Sequence, residues 1–157
     1  MNLRAPVRFG ALWALGAALL SACEQRELDA RMEELCRKDG GIKVYETVLL
    51  PASQFDKSGF PFPQPRGLPI QKRLGPDYQL TLETARLKEG DPSLARFHSV
   101  VTRIADGRVL GEAVEYVRRG GDLPGPWQPS VYSCPANLHG EVNLPKAIFK
   151  PAPKAAP

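Results

Sequence analysis

Residues 95–118, ARFHSVVTRIADGRVLGEAVEYVR, decide the fold that this sequence predicts. Two segments rich in apolar and β-branched residues, 95–105 and 108–118, flank the dipeptide Asp106-Gly107. Asp-Gly between two such segments is a strong hairpin signal, because a two-residue type I′ turn needs positive φ at both central positions. The stretch therefore predicts two antiparallel strands joined by a tight turn.

Further strands and one helix are expected on either side of this hairpin. Strands are predicted at 42–50, 78–88 and 130–134, the last being a short edge strand. Helical spacing predicts a helix over 24–38, and its apolar stripe consists of Leu28, Met32, Leu35 and Cys36. The expected fold class is α+β, with an N-terminal helix packed on an antiparallel sheet of about four to five strands and with long Pro-rich loops.

A long Pro-rich loop separates the first two of these strands. Residues 51–76 hold six prolines, which fix φ and remove hydrogen-bond donors, so neither a helix nor a central strand can run through them. Loops of this length are usually functional or disordered. The aromatic residues of the loop leave two alternatives, a binding loop or a cover over the sheet, and we favour the cover; they are Phe55, Phe60 and Phe62.

The first 22 residues have the pattern of a secretory signal peptide. Arg4 and Arg8 precede an apolar run from Phe9 to Ala22, and small residues close that run. The run is shorter than the ~20 apolar residues that cross a bilayer, so a spanning helix is not expected. The four residues Leu20-Ser21-Ala22-Cys23 resemble the lipobox of bacterial lipoproteins.

This resemblance implies a lipid anchor. In that family the chain is cut before the Cys and both the thiol and the new amino group are acylated, so Cys23 would begin the mature protein and hold it on the membrane. An Asp after the Cys tends to retain such proteins in the inner membrane, whereas this chain has Glu24, which favours the outer membrane. The implied location is the cell envelope, with the protein facing the periplasm.

The rest of the chain is long enough for one domain. We expect residues 1–22 to be removed, residues 23–145 to form a single disulfide-stapled α+β domain, and residues 146–157, rich in Pro, Ala and Lys, to be disordered. The net charge of the whole chain is a mild +4 and no clustered basic helix is evident, so a nucleic-acid partner is not expected.

Two cysteines, Cys36 and Cys134, remain once Cys23 carries lipid. An even pair in an oxidising compartment predicts a structural disulfide, here closing a loop of roughly 100 residues. The alternatives are a reactive thiol pair and a metal site with His139, but one Cys and one His give too few ligands for a closed metal site. No metal or other cofactor is expected.

Catalytic candidates are few. His98 lies in a strand beside Ser99, and neighbouring strand residues point to opposite faces, so these two cannot form a Ser-His pair. His139 lies in a loop, and no familiar catalytic motif surrounds either histidine. The basic pair Arg118-Arg119 is interpreted as a solvated strand end rather than an anion site.

A second Pro-rich stretch contains Trp127, which is either a rigid anchor for a partner or a plug for the open end of the sheet. This stretch, 120–127, and the run 36–48, CRKDGGIKVYETV, resemble small uncharacterised lipoproteins of Gram-negative bacteria. That likeness covers most of the mature domain but implies no known activity, so no site residue follows from it.

The leading expectation for function is a non-enzymatic envelope lipoprotein that binds or scaffolds another envelope component. Its expected partners are the membrane, through Cys23, and an envelope protein, with Trp127, Phe60 and Phe62 as contacts. The alternatives are a periplasmic hydrolase that uses His98 or His139, and a carrier of a small ligand or lipid.

Overall fold

The computed structural model of the protein describes residues 24–63, 68–69, 72–122 and 128–153. They form two helices, a five-stranded sheet and a separate two-stranded sheet, which is the α+β fold that the sequence predicts. Among these residues no helix is long and apolar enough to span a lipid bilayer. Helix α1 covers residues 24–39 and α2 covers Gly140–Ile148. The strands are β1 Gly41–Val44, β2 Val48–Leu50, β3 Tyr78–Lys88, β4 Ser93–Arg103, β5 Val109–Arg119, β6 Val131–Cys134 and β7 Phe149–Pro151.

The large sheet is built on the predicted hairpin of β4 and β5. Its order is β1-β5-β4-β3, and every pairing in it is antiparallel. On the side of β5 away from β4, β1 pairs with residues 111–114 and β6 with residues 116–119. Two short strands therefore lie end to end along one long central strand.

The turn between β4 and β5 differs from the expected type I′ turn. Residues 104–107 form a four-residue loop, closed by hydrogen bonds from the Arg103 N–H to the Arg108 carbonyl and from the Gly107 N–H to the Arg103 carbonyl, both at 2.9 Å. Gly107 has a φ of 68°, but the φ of Asp106 is not positive, and its carboxylate accepts a hydrogen bond from the Arg108 N–H. The predicted hairpin is confirmed. The predicted type I′ turn is wrong, because Asp106 closes a longer loop through its side chain.

Helix α1 packs on one face of the sheet through the predicted stripe. The buried cluster between helix and sheet consists of Leu28, Met32, Cys36, Leu94, Val114 and Tyr116. Helical spacing of the first three places them on one side of α1, towards the sheet. Directly after the helix, a Cβ at Gly40 would lie 2.6 Å from the Cys36 carbonyl oxygen, so only glycine fits where α1 turns into β1.

The other face of the sheet is covered by α2, β7 and the Pro-rich loop. Its core consists of Leu74, Leu80, Val101, Leu110, Ala113, Leu144, Ile148 and Phe149. The ring of Phe62 meets that of Phe149 edge-on at 5.3 Å between centroids, and Tyr78 lies 4.8 Å from the same ring. Phe55 and Phe60 also pack against this core, so the loop is the cover that we favoured.

Residues 42–50 do not form the single strand that the sequence predicts. β1 ends at Val44, β2 begins at Val48, and the two strands belong to different sheets. The N–H groups of Tyr45 and Glu46 both donate to the Leu110 carbonyl, at 2.8 and 3.0 Å. This shared acceptor marks the end of the ladder, and the chain then leaves the large sheet to pair β2 with β7.

The prediction of a disordered tail over 146–157 is wrong for its first part. Residues 146–151 complete α2 and form β7, which pairs in parallel with β2. Ile148 and Phe149 are almost completely buried. Two apolar residues in a stretch of sequence rich in lysine and proline therefore fill part of the core. The domain therefore continues past residue 145, and residues 154–157 lie outside the described residues.

Candidate functional site

The disulfide predicted from the cysteine count is present. Cys36 in α1 and Cys134 in β6 are joined, with 2.04 Å between the sulfur atoms and 5.9 Å between the Cα atoms. The bridge spans 98 positions of sequence and fastens the helix to the edge of the sheet. Because Cys36 is also buried, this pair is a structural bond rather than an accessible thiol pair.

Two of the three residues predicted as partner contacts belong to the core cover. Phe60 and Phe62 are half-buried and pack against the core, and Phe62 lies 5.8 Å from Tyr78 between ring centroids. Trp127 and the predicted lipidation site Cys23 lie outside the described residues. A docking surface must therefore be sought elsewhere among the described residues.

A polar cluster surrounds His98 on the face that α1 covers in part. Along β4, Arg96 lies beside the last residue of the helix, 3.0 Å from the Asp39 carboxylate, and His98 lies beyond it. The His98 Nε2 is 2.9 Å from the Glu112 carboxylate, and its Nδ1 is 3.9 Å from that of Glu83. Three neighbouring strands thus place an imidazole between two carboxylates.

Glu112 is the centre of this cluster. Its carboxylate also accepts a hydrogen bond from the Tyr45 hydroxyl and lies 3.6 Å from the Lys43 ammonium. The hydrogen bonds from Tyr45 and His98 lower the pKa of Glu112, because they favour the charged form. Ser99 is buried on the other face of the sheet, as the alternation of the strand predicts. His98 therefore has an acid partner, but the adjacent serine is out of its reach.

His139 has a structural setting at the start of α2. It precedes the helix with a left-handed backbone, φ 44° and ψ 63°. The Glu115 carboxylate on β5 is buried and faces the N–H groups of His139 and Gly140, where the helix dipole favours a negative charge. Burial raises the pKa of Glu115, and the nearby His139 offsets part of that rise. The arrangement fastens α2 to the sheet.

Arg118 is buried, so its interpretation as part of a solvated strand end is wrong. Its side chain is 5% exposed, its Nε lies 2.6 Å from the Asp29 carboxylate on α1, and its Nη1 donates to the Gly120 carbonyl and the Ser130 hydroxyl. The signal was available in the alternation of β5, because Arg118 shares a face with Tyr116, and that face lies under α1.

One end of the opposite face is left uncovered by α2. This helix has nine residues and is about 14 Å long, whereas strands of eleven residues extend about 36 Å. Next to the turn between β3 and β4, the exposed end of the sheet forms an open cleft of about 540 Å³. A volume of this size is typical of small-molecule sites.

The cleft combines an apolar floor with a basic rim. Side chains of the central strands, half-buried in the structure, form the floor: Ala95, Phe97 and Val117. Around them are three cations and one carboxylate: Arg86, Lys88, Arg119 and Glu89. Neither histidine lines the cleft. It is the candidate binding site of the described domain.

The cations of the rim are held to different degrees. The Lys88 ammonium lies 3.1 Å from the Glu24 carboxylate and donates to the Pro92 carbonyl, so Lys88 links the cleft to the start of α1. Arg86 lies 3.4 Å from Glu89, but both side chains are 76% exposed, and exposed pairs of this kind contribute little. The guanidinium groups of Arg86 and Arg119 are therefore accessible to a ligand.

No protein-family model, curated protein or solved structure matches the chain, so its site is interpreted from its own geometry. Within the described ranges, no group of three or more His, Cys, Asp or Glu side chains is arranged to hold a metal ion. That no cofactor is needed stays a prediction.

Proposed function

We propose that this protein is a lipid-anchored, non-enzymatic binding domain of the bacterial cell envelope. The signal-like start and the lipobox-like residues 20–23 support the anchor, and the Cys36–Cys134 bridge suits an oxidising compartment. Glu24 after Cys23 favours the outer membrane, with the domain facing the periplasm. Its binding partner is another component of the envelope.

The observation that carries this proposal is the way in which α1 is held. The described part of the helix starts at Glu24, the residue that follows Cys23 in the sequence. Glu24 lies 3.1 Å from the Lys88 ammonium on the sheet, and the disulfide of Cys36 joins the other end of the helix to β6. A lipid on Cys23 would therefore be attached one residue before the described domain, next to the end of the sheet at which Lys88 lies.

The surroundings of the histidines favour binding over hydrolysis. Nucleophilic catalysis needs a nucleophile within hydrogen-bond reach of a base, and Ser99 lies on the opposite face of the sheet from His98. His139 faces the buried carboxylate of Glu115, and the cleft lining includes neither histidine. A cleft with an apolar floor and a charged rim is instead the usual form of a binding site.

The anchor is tested by fractionating cells that produce the protein and measuring the mass of its N-terminal peptide. We expect the wild type in the membrane fraction with an acylated Cys23 as its first residue. Cys23→Ala removes the acylated residue and should abolish the acylated species. Wild-type protein in the soluble fraction with an unmodified Cys23 would overturn the proposal.

The binding role is tested by crosslinking in intact envelopes, followed by mass spectrometry of the captured species. We expect a specific envelope component that is captured by the wild type and reduced several-fold by Arg86→Gln combined with Arg119→Gln. Trp127→Ala tests the remaining predicted partner contact in the same assay. Unchanged capture in all variants would exclude both surfaces as the binding site.

A further inference from the structure

The cleft lies beside the proposed anchor, and this position indicates what it binds. Lys88 lines the cleft and contacts Glu24, the residue bonded to Cys23. Lys88 therefore connects the cleft to the residue that follows the predicted lipidation site. We propose that the cleft binds an anionic phospholipid of the membrane to which the protein is anchored, an inference that rests on the proposed function.

The floor of the cleft suits the apolar part of such a lipid. Phe97 and Val117 lie on adjacent strands, with Ala95 next to them along β4, and all three are half-buried although neither described helix covers them. Removing apolar surface of this kind from water is favourable. The glycerol and the first methylenes of an acyl chain would cover it.

The rim suits the phosphate. Guanidinium groups bind phosphate oxygens through two parallel hydrogen bonds, and Arg86 and Arg119 lie on opposite sides of the apolar floor. The exposed pair of Arg86 with Glu89 is weak, so a phosphate can replace the carboxylate. With Lys88 paired to Glu24, the two arginines against Glu89 leave an excess of positive charge at the cleft, which favours an anion.

The anchor raises the effective concentration of this ligand. A protein held on a bilayer meets lipid headgroups at a fixed short distance, so even a weak site is occupied. An acidic protein segment would also meet the charge of the rim. Two features favour a lipid over an acidic protein segment. The floor of the cleft is apolar, and the contact of Lys88 with Glu24 places the cleft at the end of the domain that carries the proposed anchor.

The experiment uses the full lipidated protein in vesicles of phosphatidylcholine with or without phosphatidylglycerol. A photoreactive amino acid replaces Thr84, which lines the cleft, or as a control Thr81, which lies on the opposite face of the same strand. Mass spectrometry identifies the lipid adduct after irradiation. The acylated N-terminal peptide is measured in the same sample, so a failure of anchoring is recognised separately.

We expect phosphatidylglycerol adducts at position 84 but not at position 81. Each basic residue near an anionic surface contributes about fivefold, so Arg86→Gln with Arg119→Gln should lower the adduct yield at limiting phosphatidylglycerol about 25-fold. The control Lys57→Gln with Lys72→Gln removes two exposed charges from the loop over the other end of the sheet and should leave the yield unchanged.

Four results would overturn the inference. An anchored protein with no adduct at position 84, or with equal adducts from phosphatidylcholine, would leave the proposed anchoring intact and exclude an anionic-lipid site. Capture of a protein at position 84 in native envelopes, with no lipid adduct, would assign the cleft to a protein partner. Absence of the acylated peptide would remove the proposed function and this inference together.

Discussion

Arg118 and Asp29 join the central strand to the first helix: the Nε of Arg118 lies 2.6 Å from the Asp29 carboxylate, and the arginine side chain is 5% exposed. The Nη1 of Arg118 donates to two further acceptors, the Gly120 carbonyl and the Ser130 hydroxyl. A buried charge that loses its partner stays buried, so removing one member of such a pair is destabilising. This contact holds α1 on the sheet independently of the disulfide.

Asp29→Ala is expected to lower the free energy of unfolding by about 2 to 3 kcal/mol, below the largest values for buried pairs because Asp29 is partly exposed. Urea denaturation with the disulfide intact measures this loss. Glu34→Ala, which removes the exposed pair with Lys38, is the control and should leave the midpoint unchanged. Equal effects of the two substitutions would contradict the burial of Arg118.

Replacing both Cys36 and Cys134 by Ala should lower the free energy of unfolding by up to about 4.7 kcal/mol, the chain-entropy value for a loop of about 100 residues. A reductant should destabilise the wild type by a similar amount and leave the double variant unaffected. Peptide mapping without reduction should recover the two cysteines in one species. A free thiol at either position would show that the bridge does not form.

Glu112 should give the stability a dependence on pH. Hydrogen bonds from Tyr45 and His98 hold its pKa below the ordinary value of 4.5 in the folded chain. A carboxylate with a lowered folded pKa stabilises the fold above its unfolded pKa and loses that contribution as the pH falls through the folded value.

The difference in Tm between the wild type and Glu112→Gln should therefore be largest above about pH 5 and shrink as the pH falls through the lowered folded pKa. Thermal unfolding followed by circular dichroism across this range gives the difference. Glu83→Gln is the control, because the Glu83 side chain is 73% exposed and its carboxylate comes no closer than 3.9 Å to the same histidine. A difference that is constant with pH would mean that the Glu112 contacts do not favour its charged form.

Phe149→Ala is expected to lower the free energy of unfolding by about 3 to 5 kcal/mol, because it removes the ring contacts with Phe62 and Tyr78 and leaves a cavity in the core. Lys150→Ala, at the exposed next position, should change it little. Chemical denaturation of the two variants separates an ordered end of the domain from a disordered one. Similar, small effects of both would restore the prediction of a disordered tail.

The parts of the fold that the sequence predicted correctly have local signals. The alternation of β3 gave its bounds as 78–88, the Asp-Gly dipeptide gave the hairpin, and helical spacing gave the stripe of α1. The disulfide followed from a count of two cysteines. Each of these signals lies within a short stretch of sequence or in the even number of cysteines. Predicting these features therefore needed no knowledge of contacts between distant segments.

The parts that were missed depend on contacts between distant segments. α2 contains Pro145 and β7 is a run of three residues, so neither has a local pattern. The burial of Phe149 depends on Phe62 and Tyr78, which lie far from it in the sequence. The cleft is missed for the same reason, since it exists where α2 is too short to cover the strands. Its cations look like ordinary surface residues in the sequence.

The parallel pairing of β2 with β7 brings residues 48–50 beside residues 149–151. A chain that emerges with its N-terminus first, from a ribosome or through an export channel, has no β7 to pair with β2 until residues 149–151 have followed. Ile148 and Phe149, which complete the core, arrive at the same late moment. The second sheet and this core can therefore close only after residues 148–151 have emerged, whatever forms before them.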